Sequence, residues 1–268
     1  MAELVNQQTI TRLAAFAGIL LVMALWELLA PRRAQAMARP ARWPSNLGIA
    51  MLDALLTRLL FPITTVGVAI FADNHGLGLL RLLGAPAWVN IACSVVVLDL
   101  AIYAQHVVFH SIPALWRLHR MHHTDPELDV TSGARFHPLE ILISVALKMG
   151  LIVLLGVDAV AVVVFEVLLN ATAMFNHGNV RMPGWLDRLA RCIVVTPDMH
   201  RVHHSIEPSE TDSNFGFNLP WWDYAFRTYR AAPAAGHAQM VIGQPMFRGA
   251  GEQRLDRLLT QPFRRHAT

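Results

Sequence analysis

Five long apolar runs limit what this chain can fold into before any other feature is considered. Leu13 to Ala30 is apolar except for Glu27. Leu47 to Ala72 follows, interrupted by Asp53, Arg58 and Pro62. Trp88 to Phe109, Pro138 to Val157 and Ala159 to Phe175 complete the set. At about 1.5 Å of rise per residue, a helix of such length approaches the roughly 30 Å of a bilayer core. Backbone amides in lipid find no water to bond, so these runs must be helical. Charged residues make up 15% of the 268, well below the roughly 25% of soluble domains. The expected fold is therefore an all-α integral membrane protein with about four transmembrane helices. Five helices, or three and a re-entrant hairpin built from the last two runs, are the alternatives that hydropathy leaves open.

The charges give these spans an orientation. Arg32, Arg33, Arg39 and Arg42 lie between the first two runs, which places that loop in the cytoplasm by the positive-inside rule. The same arginines favour a retained first span over a cleaved leader ending near Ala34-Gln35-Ala36. Counting spans onward puts the ends of the third and fifth runs on the cytoplasmic side too. The net charge of +3 is modest; arginines at the ends of apolar runs suit membrane orientation and not nucleic-acid binding. No linker divides the chain. It is expected to be one structural domain: a first span and basic loop (1–46), a membrane catalytic region (47–230) and a cytoplasmic tail (231–268).

Histidines carry the chemistry. There are 13, against two isolated cysteines, Cys93 and Cys192, with no Cys-x-x-Cys. That spacing excludes a zinc ribbon, a thiol redox motif or a disulfide framework. The word His-x-x-His-His occurs twice, as His119, His122, His123 and as His200, His203, His204. Offsets of zero, three and four place all three imidazoles on one helix face. A helix is expected from near Pro113 to before Asp125-Pro126, because proline suits a first turn and obstructs the residue before it. The later word has Thr196 as N-cap, Pro197 in the first turn and Asp198 at the helix N-terminus.

Asp99, Tyr103, His106 and His110 trace one face of the third run. Polar side chains facing lipid are costly, so this stripe must face protein. His177 ends the fifth run on the same face as Glu166 and Asn170, with Asn176 beside it. His137 begins the fourth and is either a ligand or the hydrogen-bond partner of one. His75, His237 and His266 have no clustered partners and are expected in loops or the tail. Imidazoles gathered on one side of a membrane indicate metal, and eight to ten of them are too many for one ion. The expected centre is dinuclear, in a helical cap facing the cytosol. Imidazole alone suits zinc, copper, iron or nickel. Expected supports for the ligands are Asp99, Tyr103, Asp198 and Asn176. Asp223 sits in Trp221-Trp222-Asp223-Tyr224, which reads first as an interface anchor; orienting a histidine is its alternative role.

Taken in order, these words resemble the fatty acid hydroxylase/sterol desaturase superfamily. They are His106-x-x-x-His110, His119-x-x-His122-His123, Arg135-Phe136-His137-Pro138-Leu139-Glu140, Asn176-His177-Gly178 and His200-x-x-His203-His204-Ser205. Arg42-Trp43-x-x-Asn46-Leu47 and the stretch from Asn214-Phe215-Gly216 to Thr228 extend the likeness over most of the chain. The resemblance implies a di-iron centre that uses O2 and two external electrons to hydroxylate or desaturate a lipid C–H bond. By motif match, His106, His110, His119, His122, His123, His177, His200, His203 and His204 are its implied ligands, with His137 open between ligand and support. Substrates in such a family are fatty-acyl, sterol, carotenoid or ether lipids. With no cytochrome- or ferredoxin-like segment in the sequence, a separate electron donor of that type, with its reductase, is the implied partner. A bacterial inner-membrane setting is expected. Desaturation, ether cleavage or a non-redox metal-binding role are the competing outcomes.

Overall fold

In a computed structural model, residues 2–82, 84 and 86–264 are described; His266, expected in the tail, lies outside them. The helices are α1 (Ala2–Leu29), α2 (Trp43–Leu60), α3 (Thr65–Asn74), α4 (Leu79–Leu82), α5 (Ala87–Ser111), α6 (Pro113–His123) and α7 (Pro138–Leu155). They continue with α8 (Ala159–Asn176), α9 (Gly184–Ala190), α10 (Pro197–His203), α11 (Pro208–Thr211), α12 (Trp221–Ala225), α13 (Gly236–Gln239) and α14 (Leu255–Thr260). Among the described residues, extended pairing is limited to two isolated bridges, Pro31 with Val180 and Ser205 with Ile242.

Five helical stretches are long and apolar enough to cross a membrane: Thr9–Leu29, Trp43–Asn74, Ala87–Ser111, Pro138–Leu155 and Ala159–Asn176. The span count therefore falls at the upper of the expected values. The second is interrupted at 61–64, where Pro62 removes a backbone donor and Thr64 restarts the helix by accepting from the Gly67 amide. Tight punctuation also separates α7 from α8. Gly156 ends α7 in the left-handed conformation, φ 69°, and the Asp158 side chain caps α8 by accepting from the Val160 amide. At 18 residues each, these two helices are about 27 Å long, enough for two crossings.

Packing among the spans is modest, as in a lipid solvent. No span buries more than 39% of its apolar window inside the protein. The shared core lies where α3, α5, α7 and α8 meet, built on Val66, Leu98, Ile102, Ile152, Ala161 and Phe165. α1 packs on the other side of α8.

The cap is held differently, by buried ions. Arg42, fully enclosed ahead of α2, donates to Asp125 at 3.0 Å and also to Asp129. Arg135 donates to the Met121 carbonyl, Thr124, Asn46 and Gln253. Glu27, at the end of α1, accepts the amides of Val130 at 2.7 Å and Asn179 at 2.9 Å. Buried charges persist only when paired and hydrogen-bonded, and this network ties the segments after α6 and α8 to α1 and α2. Those segments carry the histidines.

Candidate metal centre

α5 and α6 form a helical hairpin that turns at Ile112-Pro113, with Pro113 in the first turn of α6. This brings His106 back onto His119. α8 delivers His177 at its C-terminal cap, and α10, capped by Thr196 as expected, presents His200, His203 and His204. Nine histidines then fall into two groups. One holds His106, His110, His119, His123 and His203; the other holds His122, His177, His200 and His204. Within each group, one ring nitrogen per residue lies within 4.8 Å of all the others. Each His-x-x-His-His word feeds both groups, so the words interleave across one double centre.

The outward-facing nitrogens decide how the inner ones behave. Nδ1 of His106 donates to the Phe215 carbonyl at 2.8 Å, and Nδ1 of His122 to the Arg135 carbonyl at 3.0 Å. Nδ1 of His177 donates to the Ala173 carbonyl at 2.7 Å, and Nδ1 of His203 to the Ser213 carbonyl at 2.8 Å. Carboxylates take two more: Glu140 is 2.7 Å from Nδ1 of His119, and Asp212 is 3.1 Å from Nδ1 of His110. A carbonyl only accepts, so each of these four Nδ1 atoms carries the proton and leaves Nε2 as a bare lone pair.

Those lone pairs point at one another. His122 and His177 bring their Nε2 atoms to 3.0 Å, and His106 and His119 bring theirs to 3.1 Å. With both Nδ1 positions protonated, neither pair is a hydrogen bond. His200 to His177, His204 to His200 and His123 to His119 also bring Nε2 atoms to 3.1–3.2 Å, with Nδ1 of His123, His200 and His204 buried and without a protein partner. Nε2 of His110 and of His203 are buried with no protein partner at all. Imidazoles at about 2.1 Å and right angles on one cation would stand about 3.0 Å apart. The donor set therefore fits two cations, one per group.

The rings are also kept neutral, as ligands must be. Burial, reinforced by neighbouring imidazoles, holds His122, His123, His200, His203 and His204 well below the ordinary histidine range. Burial holds His177 down to about 4, with the Ala173 carbonyl opposing it.

The other residues singled out in the sequence find the following partners. His137 enters neither group: its Nδ1 accepts the Leu139 amide as the N-cap of α7, and its Nε2 lies 3.2 Å from the Leu259 carbonyl. Both ring nitrogens are thereby used by the protein. Asp99 and Tyr103 share the His106 face but meet the loop beyond α11. Asp99 accepts from the amides of Asn218 and Leu219 and from Trp222, while Tyr103 bonds Thr228. Asp198 pairs with Arg32 and Arg201, whose attraction holds its carboxyl below the ordinary range against the opposing effect of burial. Asn176 donates to the Phe217 carbonyl. Asp223 is fully buried, so it is not an interface anchor itself. It accepts the amides of Phe215 and Gly216, both at 2.8 Å, and thereby orients the Phe215 carbonyl that receives His106.

The direct supports are residues that sequence reasoning passed over. Glu140 closes the Arg135 to Glu140 word and sits buried in the first turn of α7. The segment 213–215 is subtler. Asn214 adopts φ 51°, a left-handed conformation that asparagine tolerates, and its side chain donates to the carbonyls of Met199 and Arg230. That turn aims the flanking carbonyls of Ser213 and Phe215 at two histidines. Gly216 follows because a Cβ there would stand 2.6 Å from Asp223 Oδ2.

A membrane-bounded, all-imidazole double centre defines the class. Comparison with known families gives the same answer: residues 91–228, just over half of the chain, match the fatty acid hydroxylase family. The chain belongs to that family. It is also similar to the ornithine lipid hydroxylase OlsE of Rhizobium tropici, with 30% identity over 181 residues, 67% of this chain. The chain spans about half, 52%, of that relative's length. No solved structure matches it.

Proposed function

We propose that this protein is a membrane-bound hydroxylase that inserts oxygen from O2 into a C–H bond of a lipid. The lone-pair contacts between His122 and His177 and between His106 and His119 carry this reading, because only a cation relieves them. Family membership and the likeness to a bacterial lipid hydroxylase support iron as that cation, two ions per chain. Such a centre, when loaded, supplies O2 activation using two electrons from a separate ferredoxin- or cytochrome-type donor. Hydroxylation is favoured over desaturation or ether cleavage by the relative's activity. The basic loop of Arg32, Arg33, Arg39 and Arg42 supports a cytoplasmic orientation for the cap, in a bacterial inner membrane.

The chain's own contribution is positional. His106, His110, His119, His123 and His203 would hold one ion; His122, His177, His200 and His204 would hold the other. Backbone carbonyls lock the rings of His106, His122, His177 and His203 and keep their protons outward. Glu140 and Asp212 add negative charge to the five-histidine side. The buried network around Arg42, Asp125 and Arg135 fixes the segment whose Arg135 carbonyl receives His122.

The test is lipidomics of cells with and without the gene, supplied with isotopically heavy O2, comparing wild type with His203→Ala. A lipid heavier by one labelled oxygen, present only with the wild-type gene, is expected. An unlabelled difference, a product lacking two hydrogens, or full activity in His203→Ala would each overturn the reading.

A further inference from the structure

Cap residues 214–226 do not stay at the level of the histidines. Their amides and indole reach Asp99, seven residues before His106 on α5. Seven helical residues correspond to about 10 Å of descent along that helix. Thr172 Oγ1 of α8 bonds Asn218 at the same level, five residues before His177, and Phe217 packs into the core of the spans. The loop thus dips between α5 and α8 into the apolar layer.

Its far end carries a second element down with it. The Val195 amide donates to the Asn218 carbonyl at 2.9 Å, Trp221 Nε1 to the Cys192 carbonyl at 2.7 Å, and the Tyr224 hydroxyl to the Arg191 carbonyl at 3.0 Å. α9 and α12, distant in sequence, become one plate. Its exposed surface is largely apolar: Trp185, Leu189, Ile193, Trp221, Tyr224 and Phe226 are between 43% and 66% exposed, with Arg188 and Arg227 the exposed charges among them. Contiguous apolar surface of this kind marks contact with a membrane or a partner.

Three observations favour lipid. The plate is continuous with the spans, since Phe226 stacks on Tyr103 of α5 at 5.4 Å. It hangs from groups that lie within the spans. The polar ends of Trp221 and Tyr224 are bonded inward to carbonyls, so these rings present their apolar bodies outward.

We propose that α9 and α12 form a plate seated in the headgroup–acyl boundary on the histidine side of the bilayer, with lipid as its occupant. The same plate holds the centre in register, because Asp223 of α12 orients the Phe215 carbonyl that receives His106. Lipid contact and ligand position are thereby joined in one short helix.

Cys192 lies in the plate, and Cys93 is the other cysteine. The test is a spin label at Cys192 in Cys93→Ser protein reconstituted into phosphatidylcholine nanodiscs. Leu189→Cys in a background lacking both native cysteines provides a second position. Ser209→Cys, at an exposed position of α11, provides the control. Labels at 192 and 189 should collide severalfold more with dissolved O2 than with a water-soluble nickel chelate, and the label at 209 should show the reverse. Labels at 192 and 189 that meet the nickel chelate as freely as 209 would overturn the proposal. So would protection at both positions that vanishes on dilution of the protein, which would indicate a second copy as the occupant. Neither result depends on metal loading or activity.

Discussion

Removing Glu140 should weaken one metal site and spare the other. Glu140 is 4% exposed, and its Oε1 lies 2.7 Å from Nδ1 of His119. In Glu140→Leu, that buried N–H loses its acceptor, a penalty of about 1–3 kcal/mol. The loss falls on the state in which His119 presents its lone pair, so it appears in metal affinity. At about 1.4 kcal/mol per tenfold, the expected weakening is roughly 5- to 140-fold, in the range of the effect of removing carboxylate partners of ligand histidines. Glu140→Gln keeps an acceptor but loses the charge, so it should fall between, at about half the penalty. His119 belongs to the five-histidine group; the four-histidine group should keep its ion. The assay is competition with a coloured chelator on purified protein, read as a two-step release. Two ions weakened equally by Glu140→Leu, or neither weakened, would refute the reasoning.

Gly133→Ala should do the converse. A Cβ there would lie 2.4 Å from the Ala173 carbonyl oxygen, the acceptor that fixes His177, so the four-histidine ion should be the one released early in the same chelator assay. Arg42→Met should strand Asp125 and Asp129 as buried charges and cost about 3–5 kcal/mol, measured as a fall in thermal midpoint in detergent; an unchanged midpoint would contradict the proposed role of the ion network. Acid should destabilise the metal-free protein. His177 is lowered from 6.5 to about 4, so the unfolded chain binds protons that the folded one refuses. The contribution, about 3 kcal/mol, is complete above pH 6.5 and is lost as pH falls towards 4; unfolding midpoints measured across that window should decline steadily.

Much of the architecture was legible because its determinants are local. Span length and the i, i+3, i+4 spacing of histidines fix a helix and its face without reference to the rest of the chain. Thr196 and Pro197 mark the start of α10 for the same reason. The partners of other residues lie beyond such local rules. His137 stands among the right neighbours in sequence, but the Leu139 amide and the Leu259 carbonyl claim its ring. Asp99 shares a helical face with His106, yet a loop more than a hundred residues away takes its oxygens. The supports that do hold the rings are mostly backbone carbonyls, which side-chain identity does not reveal. Which histidine joins which group also lay beyond spacing, because His119 and His123 face His106 while their neighbour His122 faces His177.

The central claim is two cations in one interleaved histidine centre. Its most direct test is the metal content of protein purified after growth in iron-rich medium, for wild type, His203→Ala and His200→Ala. Two irons per wild-type chain are predicted, with each variant losing one: the five-histidine ion in His203→Ala and the four-histidine ion in His200→Ala. A single ion in the wild type, or two retained in both variants, would contradict the account.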